Sequence, residues 1–457
     1  MNPTRRRLFG SAAGAAALLL APAARLLASA GAARAAPGYG PLALVRDSTT
    51  GLELLALPRG FSYASFGWRG EPMHGDAPTP GAHDGMGVVR ERGGVATLIR
   101  NHEIVTDTGA FGPARIAYDP VAGGGTTTIK FDTASGKGGR ARASLSGTLQ
   151  NCSGGVTPWG TWLSCEEFVY EPAPDQAAAG RLGRLTKPHG FVFEVKPGGA
   201  APRPLVGLGQ FRHEAAAVHE PSGHVYLTED REPCAGFYRF VPARREKLAG
   251  RGTLEMLKLV QPRELRGGLP QGQEFAVEWV RIDDPARAHS PGTRDGLGVF
   301  MQGHERGGAA FTRGEGCYAT RDAVYFTASN GGAAACGQVF AYYPVRRTLA
   351  LVFESPDSET LDFPDNLCFS PRGGLVLCED GTRDRKLLQG LSAAGGLFPF
   401  ARNEVVLHGA PYGHTGDFRA AEWAGACYSR DGRWLFANVF RPGFSVAITG
   451  PWRSGLI

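Results

Sequence analysis

Apolar residues in this chain come in short bursts. Six stand out: Val95-Ala96-Thr97-Leu98-Ile99, Thr161-Trp162-Leu163, His224-Val225-Tyr226-Leu227, Ala323-Val324-Tyr325-Phe326, Leu375-Val376-Leu377 and Arg433-Trp434-Leu435-Phe436. Each closes on polar groups: Arg100-Asn101-His102-Glu103, Ser164-Cys165-Glu166-Glu167, Thr228-Glu229-Asp230, Ala328-Ser329-Asn330, Cys378-Glu379-Asp380 and Ala437-Asn438. Runs of this length, rich in β-branched and aromatic residues and bounded by turn formers, predict strands. Ahead of most of them lies a second polar or glycine-rich piece, such as His213-Glu214-Ala215, Arg313-Gly314-Glu315 or Pro364-Asp365-Asn366. The unit that repeats is two antiparallel strands around a turn. The spacing predicts an all-β fold, a β-propeller of six blades with loop and short helical insertions. The inner strands of a propeller aim equivalent ends at one channel, so the polar closures would converge there. A single polar strand end is more simply a solvated turn; several rich in acids favour convergence.

Composition agrees with this pattern. The chain has 457 residues, with 66 glycines, 32 prolines and 20% charged residues, which suits many short strands joined by turns. A hydrophobic content of 42% argues against disorder. Residues 1–35 read as an export signal: Arg5-Arg6-Arg7-Leu8-Phe9, an Ala/Leu-rich run, then Ala33-Arg34-Ala35. The paired arginines resemble a twin-arginine signal, which exports folded proteins and suits a cofactor loaded beforehand. Pro22 and Arg25 interrupt the apolar run, against a membrane anchor. Residues 36–80 read as a lead-in segment and 81–457 as one propeller domain. The signal holds five arginines and no acid, so about +1 of the net +6 remains without it, which gives no case for nucleic-acid binding.

The candidate chemistry is that of metals. Glu103, Glu166, Glu167, Glu214, Glu229, Asp230, Glu315, Asp365, Glu379 and Asp380 are candidate carboxylate ligands, with Asn366, Asn101, His102 and Asn330 as neutral neighbours. So many acids in one channel require cations, because each unpaired buried charge costs several kcal/mol. Oxygen ligands suit calcium, and Cys165 among them asks for a softer metal such as iron or zinc. None of the eight cysteines forms a C-x-x-C pair; Cys368 and Cys378 are placed to face each other on adjacent strands. Arg313 beside Glu315 reads from spacing as an ion pair, or as a clamp for phosphate in a metal-lined channel.

The motifs Thr157-Pro158-Trp159-Gly160-Thr161-Trp162-Leu163-Ser164-Cys165-Glu166-Glu167, His213-Glu214-Ala215-Ala216, Arg313-Gly314-Glu315-Gly316, Pro364-Asp365-Asn366 and Cys378-Glu379-Asp380-Gly381 resemble those of the PhoX-type alkaline phosphatases, as does the closing Thr449-Gly450-Pro451-Trp452. The resemblance implies a six-bladed propeller that binds Fe3+ and Ca2+ and hydrolyses phosphomonoesters in the periplasm or outside the cell. It implies that Cys165 bridges an iron pair near Glu214 and Glu315, that Arg313 faces the phosphate, and that the other acids divide between the metals. A monomer acting on a small phosphate ester and exported by the twin-arginine machinery is expected. The other readings are a calcium-dependent lactonase or esterase, and a binding propeller whose metals only brace the blades.

Overall fold

The second strand of each repeat is apolar on both faces because it is packed between two neighbouring sheets. Val324–Ala328 and Leu375–Glu379, for example, are buried at every position. This computed structural model describes residues 38–172 and 182–457; the predicted export signal lies outside them. Regular structure is antiparallel strand apart from the helix Gly298–His304 and short 3-10 turns. Among the described residues no helix is long and apolar enough to cross a membrane.

The architecture is a β-propeller. The strands His83–Arg92, Asn151–Val156, His213–His219, Gly314–Ala319, Pro364–Phe369 and Trp423–Tyr428 each begin an antiparallel set. Each lies beside the next, and the last packs against the first, so they form a closed ring around the axis. The sheets are not the six separate four-stranded blades that the spacing predicted. Four sheets carry four or more strands. One reason is Glu274–Arg281, which pairs with Gly252–Leu259 on one side and Thr348–Glu354 on the other and so merges two sets into a nine-stranded sheet. The other is the set Asn151–Val156, Trp162–Glu166 and Val192–Val195, which has only three strands.

The segment expected as a lead-in is instead part of the propeller. Ser62–Phe66 pairs with Phe444–Thr449 as the outermost strand of the last set, and Leu55–Pro58 extends the sheet that ends in Leu397–Asn403. N- and C-terminal chain thus share one sheet, which locks the ring. Apolar clusters fill the spaces between sheets; the stacked Phe237 and Phe326 rings, 4.1 Å apart, lie in one of them.

At the axis the first strands approach closely. A Cβ on Gly155 would lie 1.7 Å from the Ala216 carbonyl oxygen, and one on Gly85 would lie 2.6 Å from the Ser153 Cα. Only glycine permits these contacts. The expected pairing of Cys368 with Cys378 is not formed: the register sets Cys368 opposite Val376, and all eight cysteines are free thiols.

Candidate metal centre

Every first strand carries the same irregularity near its start. Three residue steps on it oppose two on its partner, at His83/Met86, Asn151/Gly154, His213/Ala216, Gly314/Cys317, Pro364/Leu367 and Ala424/Cys427. Such a bulge breaks the alternation of side chains and re-aims one of them. The re-aimed positions are Asp84, Cys152, Glu214, Glu315, Asp365 and Gly425. Five of the six thus bear a metal-binding group. The residue before four of these strands holds a positive φ without being glycine: Ala82 (49°), Gln150 (48°), Arg313 (43°) and Phe363 (53°). Strain of this kind collects at functional sites.

The bulges assemble three groups whose ligand atoms lie within 4.8 Å of one another: Cys152, Glu167 and Glu214; Glu214, Glu315 and Asp365; and Asp84, Glu103 and Glu422. Glu214 belongs to two of them. Burial, then repulsion from neighbouring carboxylates such as Asp230 and Asp380, holds the carboxyls of Asp84, Glu167, Glu214, Glu315, Asp365 and Glu422 well above the usual carboxylate range. Burial pushes Glu103 up to about 7. Burial, with Glu214 and Glu167 close by, also pushes the Cys152 thiol up. A cation reverses each of these effects, because it favours the charged form of every ligand it touches. Glu103, Asp365 and Glu422 keep accessible surface, so ions can reach the ring.

Several residues expected here lie elsewhere. Cys165 is fully buried in an apolar cluster with Leu163, Val192 and Leu227, and the thiol among the acids is Cys152. The cause is strand geometry: Cys165 lies inside a second strand, packed between sheets, whereas Cys152 sits in a bulge on the axis. Glu166, Glu229 and Glu379 end second strands and are consumed within their own blades. Glu166 accepts from the amides of Leu149, Gly190 and Phe191 and bonds His189 Nδ1 at 2.7 Å. Glu229 accepts from Gly236 N and Tyr238 OH; Glu379 accepts from Asp362 N, Leu387 N and Gln389 Nε2. In each Glu-Glu or Glu-Asp pair the first acid therefore braces the blade.

The neutral candidates also brace the ring. Asn101 Nδ2 donates to the carbonyls of Cys152 and Ser153 at 2.8 Å each, which fixes that bulge. Asn366 donates to Ser153 Oγ and accepts from Ala426 N, linking three first strands across the axis. His102 bonds the Gly81 carbonyl and Thr127, and Asn330 accepts from Thr312. Asp380 belongs to none of the three groups, but its charge raises the carboxyls of Asp84, Glu103, Asp365 and Glu422.

Asp230 binds arginine. Its Oδ1 is 3.1 Å from Arg313 Nε, and Arg313 Nη2 is 2.9 Å from Glu315 Oε1, an oxygen also held by Ser329 Oγ at 2.8 Å. Arg212 bonds the carboxylate and main-chain oxygen of Glu167. Sequence reasoning missed Cys152, Asp84, Glu422 and Arg212. The four-residue strand openings His83-Asp84-Gly85-Met86, Asn151-Cys152-Ser153-Gly154 and His213-Glu214-Ala215-Ala216 carry the signal for the first two: a ligand followed by a small residue.

The bracing acids leave a pH signature. Burial alone would lower the pKa of His189, but Glu166 and Asp119 outweigh it and raise the imidazole to about 9. A His whose folded pKa exceeds its unfolded value of about 6.5 adds stability below that value and loses it as pH rises through about 9. We expect the melting temperature to fall between pH 7 and 9.5, and this slope to flatten in His189→Gln. An equal slope in both proteins would remove His189 as its source.

In structure, the chain is similar to a gluconolactonase from Xanthomonas campestris, at 12% identity, with 92% of this chain and 100% of that one covered and a TM-score of 0.42. It is also similar to the β-propeller domain of Cps50 from Myceliophteria thermophila, at 10% identity, with coverage of 83% and 86% and a TM-score of 0.36. No curated protein matches the sequence. The family model described as alkaline phosphatase PhoX matches residues 37–142 and 123–443, nearly the whole described chain and every residue of the ring of acids, and the chain therefore belongs to the PhoX alkaline phosphatase family.

Proposed function

We propose that this protein hydrolyses phosphate monoesters at the ring of bulge residues, after export from the cytoplasm by the twin-arginine route. The observation that carries the reading is Arg313, a guanidinium fixed by Asp230 and Glu315 against the Glu214, Glu315 and Asp365 group. A ring of acids alone would serve only to bind cations. A guanidinium at its edge adds the fork that recognises a phosphate by two parallel hydrogen bonds.

The donor sets fit two kinds of metal. Cys152, Glu167 and Glu214 would hold a transition metal such as iron in the Fe3+ state, through one soft and two hard donors. The carboxylate groups Glu214, Glu315, Asp365 and Asp84, Glu103, Glu422 suit Ca2+. Bound there, such cations supply Lewis-acid polarisation of phosphoryl oxygens and a more acidic oxygen nucleophile. The protein's own residues orient and enclose. Arg313 holds the phosphate oxygens, Asp230 and Ser329 keep Arg313 and Glu315 from swinging away, and Asn366 ties the first strands together beneath the ligands.

The test is hydrolysis of p-nitrophenyl phosphate at alkaline pH by metal-loaded protein, with and without a calcium chelator. Turnover is expected, with a loss of at least about tenfold on chelation and recovery when calcium is returned. Chelation should also lower the melting temperature, because the bound cations stabilise only the folded ring. Metal-loaded, folded protein that cleaves lactones but no phosphate ester would sink the proposal.

A further inference from the structure

Two of the three acid groups have an arginine attached, and the two arginines share one carboxylate. Arg212 bonds Glu167, which belongs to the Cys152 group, and Arg313 bonds Glu315, which belongs to the Asp365 group. Asp230 stands between them. Its Oδ2 lies 3.5 Å from Arg313 Nη2 and 3.7 Å from Arg212 Nη2. No arginine forms an ion pair with the third group, Asp84, Glu103 and Glu422, among the described residues. The arginine-flanked groups are also the two joined through Glu214.

We infer that Arg212 is a second phosphate-binding guanidinium, and that with Arg313 it makes the site select the dianion of a monoester over the monoanion of a diester. This inference rests on the phosphatase reading above. Arg212 spends Nε on the Glu167 carbonyl at 3.2 Å and Nη2 on its carboxylate. Arg313 spends Nε and Nη2 on Asp230 and Glu315. In both, the Nη1 group makes no protein hydrogen bond among the described residues, and the side chains remain 36% and 28% exposed. Each guanidinium is thus anchored on one edge and has donors left for a ligand on the other. Two anchored guanidiniums on either side of one carboxylate match the three peripheral oxygens and double charge of a phosphate monoester. A diester has one oxygen and one charge fewer, and its second organic group would displace one of the forks.

Calorimetric titration of inorganic phosphate into metal-loaded protein tests this directly, alongside KM and kcat for p-nitrophenyl phosphate and bis(p-nitrophenyl) phosphate. In Arg212→Gln we expect phosphate binding and the monoester KM to weaken at least about tenfold, with the diester KM changed less than about twofold. Metal content and melting temperature should stay at wild-type values, and Arg212→Lys should recover part of the loss through its charge. Phosphate affinity and monoester KM within about twofold of wild type would overturn the inference. So would a fall in metal content that accounts for the lost binding, since Arg212 would then only be holding Glu167. Calorimetry reads Arg212 even where no ester is turned over, so failure of this inference is separable from failure of the phosphatase reading.

Discussion

Alanine in place of Cys152 is expected to lower kcat/KM for p-nitrophenyl phosphate by at least about a hundredfold and to remove the transition metal, while alanine in place of Cys165 leaves both near wild type. Cys152 is the one thiol among the acid groups, in reach of Glu167 and Glu214. Without metal, its thiol is held protonated first by burial and then by the carboxylates around it. That arrangement favours a thiolate only when a cation is present. Cys165 is instead fully buried in an apolar cluster with Leu163, Val192 and Leu227, so its truncation costs packing, about 1 kcal/mol for a small buried group. Glu214→Gln should be at least as severe as Cys152→Ala, because Glu214 serves two groups at once. Metal content by elemental analysis, read beside turnover, decides the matter. A Cys152→Ala protein with full metal and full activity would remove the thiol from the site.

Arg313→Ala is expected to reduce kcat/KM about a hundred- to a thousandfold, some 3 to 4 kcal/mol of transition-state stabilisation, the scale on which a preorganised donor to developing charge acts. Arg313 is preorganised by three constraints: its positive φ, its pairing with Asp230 and its pairing with Glu315. Lysine at this position keeps a charge but loses the planar fork, so Arg313→Lys should recover only part of the loss. Arg313→Ala also leaves Asp230 and Glu315 with one cation fewer. The metal-free variant should therefore melt lower than the metal-free wild type, and returning calcium should narrow the gap. Unchanged kcat/KM in Arg313→Ala would mean that the arginine only balances the charge of its two acids.

Much of the architecture was legible along the chain. Apolar runs of strand length, punctuated by glycine, gave the β-propeller, because a strand packed between two sheets must be apolar on both faces. The number of separate sheets was not legible. Only the folded chain brings the two edges of Glu274–Arg281 to Gly252–Leu259 and Thr348–Glu354. Nor does sequence order reveal that Ser62–Phe66 closes the last sheet, since its partner Phe444–Thr449 is almost the whole chain away.

The site divides in the same way. By itself the sequence determined that acids, a thiol and an arginine recur at the openings and ends of strands, which makes Glu103, Glu167, Glu214, Glu315, Asp365 and Arg313 candidates together with their neighbours. Tertiary structure decided which member of each polar pair faces the axis. Side-chain direction in a regular strand follows from alternation, and on that basis Cys165, Glu166, Glu229 and Glu379 were as good as their neighbours. The bulges break alternation by one residue, a change fixed by pairing with the next strand rather than by the residues themselves. That single displaced residue puts Cys152 in the ring, whereas Cys165, inside a second strand packed between sheets, lies in the core.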